Sequence, residues 1–181
     1  MFKTPVEAFT NATRVKSSVS KKVMEQIVTR YPLLEPHIEE IFPQGAKMHM
    51  AKIKGVSHIQ VIYLDNEILF IQLRDKKVVP HLRLLHKYPD IMTKMQVDKG
   101  AIKFILSGAD IMCPGLTSEG GKMDDSAQVF DPVAIYVEGK EHAIGIGTMA
   151  MTAEEIREQN KGIGITMFCH LGDAIWEAKV E

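Results

Sequence analysis

Lys99 and Lys103 stand four residues apart in VDKGAIKFILSGADIMCPG, residues 97 to 115. That spacing puts both ammonium groups on one face of a short helix. Arg83 and Lys87 repeat it just upstream, and Lys94 lies between the two pairs. Cations at this period suit phosphates, lysine as a point charge and arginine as a planar fork. Gly100 near the start of the helix, and Gly108-Ala109 at its end, offer backbone amides as uncharged donors to phosphate or base edges. The chemistry this pattern suits is binding of single-stranded or looped RNA, met by shape, backbone contacts and stacking. Spacing alone fits a solvated helix face equally well.

Other chemistries find less support. A phosphate loop needs GxxxxGK[ST], and a dinucleotide turn needs GxGxxG between a strand and a helix. Gly145-Ile-Gly147 lies inside a strand pattern and Gly162-Ile-Gly164 follows a helix; neither has the third glycine. Strand glycines that permit barrel curvature are the better reading. No GxSxG elbow is present. Cys113 sits among apolar neighbours in IMCPG, where a packed structural thiol is expected, in a strand following the glycine turn. The seven histidines show no metal-ligand spacing, and Asp124-Asp125 reads as a solvated loop pair. The expectation is a protein without catalysis, cofactor or metal.

The elements that must position the cations follow from the hydrophobic period. SVSKKVMEQIVTR places Val19, Val23, Ile27 and Val28 near helical spacing, with Met24 beside them. LEPHIEEIFP reads as a second, short helix ended before Pro43. MHMAKIKG and SHIQVIYLDNEILFIQLRD change to strand character, with Asp65-Asn66 as a hairpin turn, and RLLHKYP is one or two helical turns. Asp98 caps a helix over GAIKFIL and Gly108 stops it; ADIMCPG reads as a short strand. PVAIYVEGKEHAIGIGTMAM gives two strands, Thr152 to Glu155 a capping box for a helix to Asn160, and GIGITMFCHLGDAIWEAKV two more strands. The expected fold is α+β: an N-terminal α+β domain over 1–93, then a small mixed β pseudobarrel over 94–181.

Composition bounds the partners. The net charge of −1 gives no global attraction to nucleic acid, but its distribution is uneven. Residues 1 to 30 carry Lys3, Arg14, Lys16, Lys21, Lys22 and Arg30 against Glu7 and Glu25. Residues 83 to 103 carry the five cations named above against Asp90 and Asp98, whereas 119 to 141 is acidic. Such a molecule binds a polyanion on one face. No apolar run is long enough to span a bilayer, MFKTPVEAFTNATRVK lacks the core of a secretory signal, and the only cysteines are Cys113 and Cys169. Cytoplasmic residence is expected, with no membrane partner.

VDKGAIKFILSGADIMCPGLTS resembles the PUA domain, an RNA-binding module named after pseudouridine synthases and archaeosine transglycosylases. LRLLHKYP, AIYVEGKEHAIGIGTMAMTAEEIREQNKGIGI and KSSVSKKVMEQIVTRYPLLEP are similar, more narrowly, to the malignant T-cell-amplified sequence family of translation factors, so that the resemblance covers nearly the whole chain. It implies binding to the small (40S) ribosomal subunit through rRNA and the tRNA acceptor end, and RNA rather than DNA as the ligand. The implied roles are post-termination recycling, release of deacylated tRNA and reinitiation. It places RNA contacts at Lys99, Gly100, Lys103 and the Gly108-Ala109 turn. It also implies a density-regulated-protein partner with a SUI-type domain, supplied in trans because this chain stops at Glu181 directly after its expected last strand. Asp110 departs from the pattern, standing where asparagine is expected, and the 119–131 loop is unusually acidic. An RNA-modifying enzyme docked through its PUA domain and a ribosome-biogenesis factor are the competing readings; an N-terminal part this short argues against the enzyme.

Overall fold

A computed structural model describes residues 9–56, 58–75 and 77–180. Lys3 and Glu7 of the basic N-terminal run lie outside the described residues. The described residues fall into two compact units, 9–91 with 178–180 and 92–177.

The first unit is a five-stranded antiparallel meander in the order β1 (Phe9–Arg14), β2 (His49–Ile53), β3 (Gln60–Leu64), β4 (Glu67–Gln72) and β5 (Val78–Pro80). Asp65 and Asn66 turn the β3–β4 hairpin with φ of 47° and 68°. Both angles are positive, as the turn that matches strand twist requires, and Asn and Asp tolerate them. Helix α1 (Ser17–Arg30) buries Val23 and Ile27, whereas Val19 of the apolar series is 44% exposed. The Tyr31 hydroxyl donates to the Val78 carbonyl at 2.8 Å and ties the end of α1 to β5. The LEPHIEEIFP segment starts as a 3-10 helix, Pro32–His37, before α2 (Ile38–Ile41). Pro36 inside that turn has no N–H for an α-helical bond, which suits the tighter winding. Helix α3 (Leu82–Lys87) opens at His81, whose Nδ1 accepts the Arg83 amide at 3.3 Å.

The second unit carries a mixed five-stranded sheet in the order β6-β8-β9-β10-β7. Strand β6 (Lys94–Val97) runs parallel to β8 (Pro132–Val137). The antiparallel partners are β9 (Gly145–Met149), β10 (Ile163–His170) and the two-residue β7 (Ile111–Met112). Met95, Ile105, Leu116, Ile135, Ile156 and Ile165 are all within 2% of full burial and define its core. The β9 glycines permit close strand packing: a Cβ on Gly145 would stand 2.7 Å from the Met167 methyl and 2.8 Å from the Cys169 carbonyl. Helix α6 (Ala153–Gln159) has the expected capping box, Thr152 with Glu155, and ends at Asn160 in the left-handed region.

Two expectations are corrected here. Cys113 is not in a strand: ADIMCPG breaks into β7 and then helix α5 (Cys113–Thr117). Pro114 is the reason, because proline's fixed φ and missing N–H suit the first turn of a helix. The run from 162 to 180 does not give two strands either. After β10 the chain turns at Gly172, φ 77°, into α7 (Ala174–Glu177), whose amides are collected by Asp173.

Candidate nucleic-acid interface

The cation-bearing helix begins as a 3-10 turn, Lys99–Ala101, and continues as α4 (Ile102–Leu106). Asp98 starts it, as its spacing indicates. Its Oδ1 accepts the Gly100 amide at 2.7 Å and its Oδ2 the Ser118 hydroxyl at 2.9 Å. Gly108 ends it at φ 78°; its amide donates to the Ile105 carbonyl at 2.8 Å, and the Ala109 amide to Phe104 at 3.0 Å. These bonds overturn one expectation. The amides of Gly100, Gly108 and Ala109 are spent on capping the helix, because a short helix must satisfy its own terminal groups first. They are not donors waiting for a phosphate.

What Gly100 and Ala109 do instead is shape a cleft of about 670 Å³, walled by Phe104, Met112 and Ile163. Phe104 is 55% exposed and Met112 50%. On α4 Ile105 is buried, whereas Phe104 beside it is exposed although it stands three residues from Ala101, the spacing of an apolar stripe. That exposed aromatic is the residue the cation spacing missed, and the helical period gave no signal for it, because its spacing from Ala101 and Gly108 predicts burial.

Among the described residues no lysine or arginine lines the cleft; its charged walls are Asp98 and Asp110. Both Asp98 oxygens are engaged, while Asp110 Oδ1 accepts the Met167 amide at 2.8 Å. The cleft therefore suits the flat face of an unpaired base with a carboxylate at its edge, and the phosphates belong on the rim. At that rim the Lys103 ammonium lies 4.9 Å from the Phe104 ring centre, and Lys99 is 3.9 Å from Glu138 across exposed surface. Lys94, on β6, lies over the Tyr136 ring at 5.4 Å.

Arg83 and Lys87 lie on α3 in the first unit. Lys87 donates to Glu40 at 2.8 Å, and this bond raises the Lys87 pKa and lowers that of Glu40. The field of the expected basic strip is thus weaker than its cation count, since Lys87 and Lys99 each face a carboxylate.

Catalytic geometry is not built around the cysteines. Cys113 is fully buried, its thiol donates to the Lys161 carbonyl at 3.2 Å, and burial pushes its pKa up, so the nucleophilic thiolate is scarce. Asp124 is held below the usual carboxylate range by the Ser126 hydroxyl, and Asp125 pairs with Arg157. Among the described residues no group of three or more His, Cys, Asp or Glu is placed to hold a metal ion. No described helix is long and apolar enough to cross a membrane.

Comparison with known proteins places this geometry. Residues 2–89 match the Pre-PUA-like domain and residues 93–167 the PUA domain. The fold is that of a two-module PUA protein, an α+β chain with a C-terminal PUA pseudobarrel. A hypothetical protein of Pyrococcus horikoshii shares that fold, with a TM-score of 0.72 at 22% identity over 92% of this chain and 98% of its own. Malignant T-cell-amplified sequence 1 of Rattus norvegicus is 44% identical over 96% of this chain and 93% of its own. Translation machinery-associated protein 20 of Schizosaccharomyces pombe is 41% identical over 97% and 96%. The chain belongs to the malignant T-cell-amplified sequence family.

Proposed function

We propose that this chain is a non-enzymatic, cytoplasmic translation factor that binds RNA on the small (40S) ribosomal subunit. It acts in recycling after termination, in release of deacylated tRNA and in reinitiation. A partner carrying a SUI-type domain works with it in trans. Residues 94–181 are its RNA-binding domain, and 1–93 the domain that accompanies it. The observation that carries the reading is the cleft walled by Phe104, Met112 and Ile163, with Lys99 and Lys103 on the helix beside it. An exposed aromatic beside cations is what an unpaired base and its phosphates require, and a family with a translation machinery-associated member supplies the setting. Gly100 and Ala109 line the cleft, and Gly108 stops the helix beside it. Lys94 adds charge from β6, and Arg83 and Lys87 are further RNA contacts carried by the first unit.

Sedimentation of the cellular protein, with recovery of its bound proteins, tests this. Co-migration with mature small subunits and a SUI-domain protein is expected. Confinement to pre-ribosomal particles would replace the proposal with a role in ribosome biogenesis.

A further inference from the structure

The first unit has a basic surface that the reading above leaves unused. Strand β1 pairs with β2 so that Thr10 stands opposite Lys52, and Lys52 stands in turn opposite Gln60 on β3. Residues directly opposite in antiparallel strands project from one face, so Thr10, Lys52 and Gln60 make a row across three strands. Lys52 and Lys54 are exposed on either side of buried Ile53. The turn that follows, with Gly55 at φ 78° and His58 at φ 66°, closes a depression of about 590 Å³. Thr10, Lys52, Lys54, His58 and Gln60 are its polar lining, and among the described residues no carboxylate lines it.

The sequence around it is one-sided in the same sense. Residues 9 to 24 and 44 to 64 contain no Asp or Glu, yet they hold Arg14, Lys16, Lys47, Lys52 and Lys54. The strand ladder joins these two stretches, with Arg14 opposite His49 and the Val15 amide bonded to the Met48 carbonyl at 2.9 Å. Unlike Lys87 and Lys99, neither Lys52 nor Lys54 has a carboxylate partner among the described residues. Cations gathered without counter-charge raise the energy of the fold slightly, and a polyanion relieves that repulsion.

We propose that this depression on β2 is a second RNA site, one that takes backbone phosphates. Lys52 and Lys54 supply the charge, and the Thr10 hydroxyl and Gln60 amide supply uncharged donors. Among the described residues no Phe, Tyr or Trp lines it, so they offer no stacking and hold RNA without regard to sequence. The site is separate from the Phe104 cleft and shares with the proposed function only the premise that the polyanion is RNA.

The test uses the full chain and a labelled RNA hairpin with a single-stranded 3′ tail, titrated across salt concentrations. Lys52→Glu/Lys54→Glu is expected to weaken binding by about tenfold or more. The milder Lys52→Gln/Lys54→Gln should lower the log–log salt slope by about 1.4 to 1.8, the share of two phosphate contacts. Lys140→Glu should change little. A folded Lys52→Gln/Lys54→Gln protein with wild-type affinity and slope overturns the site, as does wild-type RNA binding accompanied by loss of a protein partner, which would make this an acidic-peptide surface. Phe104→Ala in parallel separates the two readings. If it leaves binding intact while the lysine pair lowers it, the cleft reading fails and this one stands; the reverse pattern sinks this one. A wild-type chain that binds no RNA sinks both.

Discussion

The Asp98 carboxylate accepts the Gly100 amide at 2.7 Å, and through its other oxygen it holds the Ser118 hydroxyl at 2.9 Å. One side chain thus starts the cation-bearing helix and ties it to the end of α5. Asp98→Ala should cost about 0.5–2 kcal/mol, the usual worth of such a cap, and Asp98→Asn less, because asparagine caps nearly as well. Denaturant unfolding of the two variants measures this. Equal losses would show that charge, rather than the cap bond, matters at this position.

Phe104 is 55% exposed and walls the cleft, so its contribution to folding is small. Phe104→Ala should leave the melting temperature nearly unchanged while weakening binding of RNA with an unpaired 3′ end by about 1–3 kcal/mol, the worth of one stacked base. Phe104→Trp should retain most of the affinity. Loss of affinity equal for tailed and fully paired RNA would argue against stacking.

Asp173 is buried, and burial lifts its pKa above the ordinary carboxylate range although it accepts the His170, Ile175 and Trp176 amides. The folded state then holds its proton more tightly than the unfolded one. Its stabilising contribution is full below the unfolded pKa and declines as pH rises through the folded pKa. Asp173→Asn lacks this limb, and it adds a fixed penalty because one amide hydrogen must face a backbone donor. Unfolding free energies measured between pH 4 and 8 should show the variant's deficit shrinking as pH rises. A deficit that grows with pH would mean the amide bonds outweigh burial.

Local rules carried much of the architecture into the sequence. Asp65-Asn66, the Asp98 and Thr152 caps and the Gly108 stop are decided within a few residues, and each stands where its chemistry puts it. Strand β1 was not legible. FTNATR is mostly polar and, past the half-buried Phe9, exposed, and it is a strand only because β2 offers it a ladder. Strand β6 depends in the same way on its parallel partner β8. Cys113 was misplaced because an apolar run of a few residues reads alike as strand or buried helix, and Pro114 decides it. In the candidate site the cations were legible and their neutralisation was not, since Glu40 and Glu138 reach Lys87 and Lys99 only in the folded chain.

Lys99 and Lys103 separate the site from its scaffold. Lys99 keeps 69% of its side-chain surface exposed and sits at the outer edge of bonding distance from Glu138, so little folding energy rests on it. Lys99→Glu/Lys103→Glu should therefore fold with a nearly unchanged melting temperature. At the cleft rim the same change replaces attraction with repulsion, and binding to small subunits should fall by about an order of magnitude or more. Neutralising the pair with glutamine should flatten the salt dependence by about 1.4 on a log–log plot, the share of two single-strand phosphate contacts. Reversals at Lys140 and Lys179, outside the helix, serve as controls and should do much less. A folded Lys99→Glu/Lys103→Glu chain that sediments with small subunits like wild type would leave these lysines as a solvated helix face. The cleft would then have to hold its RNA through Phe104 and the Asp110 carboxylate alone.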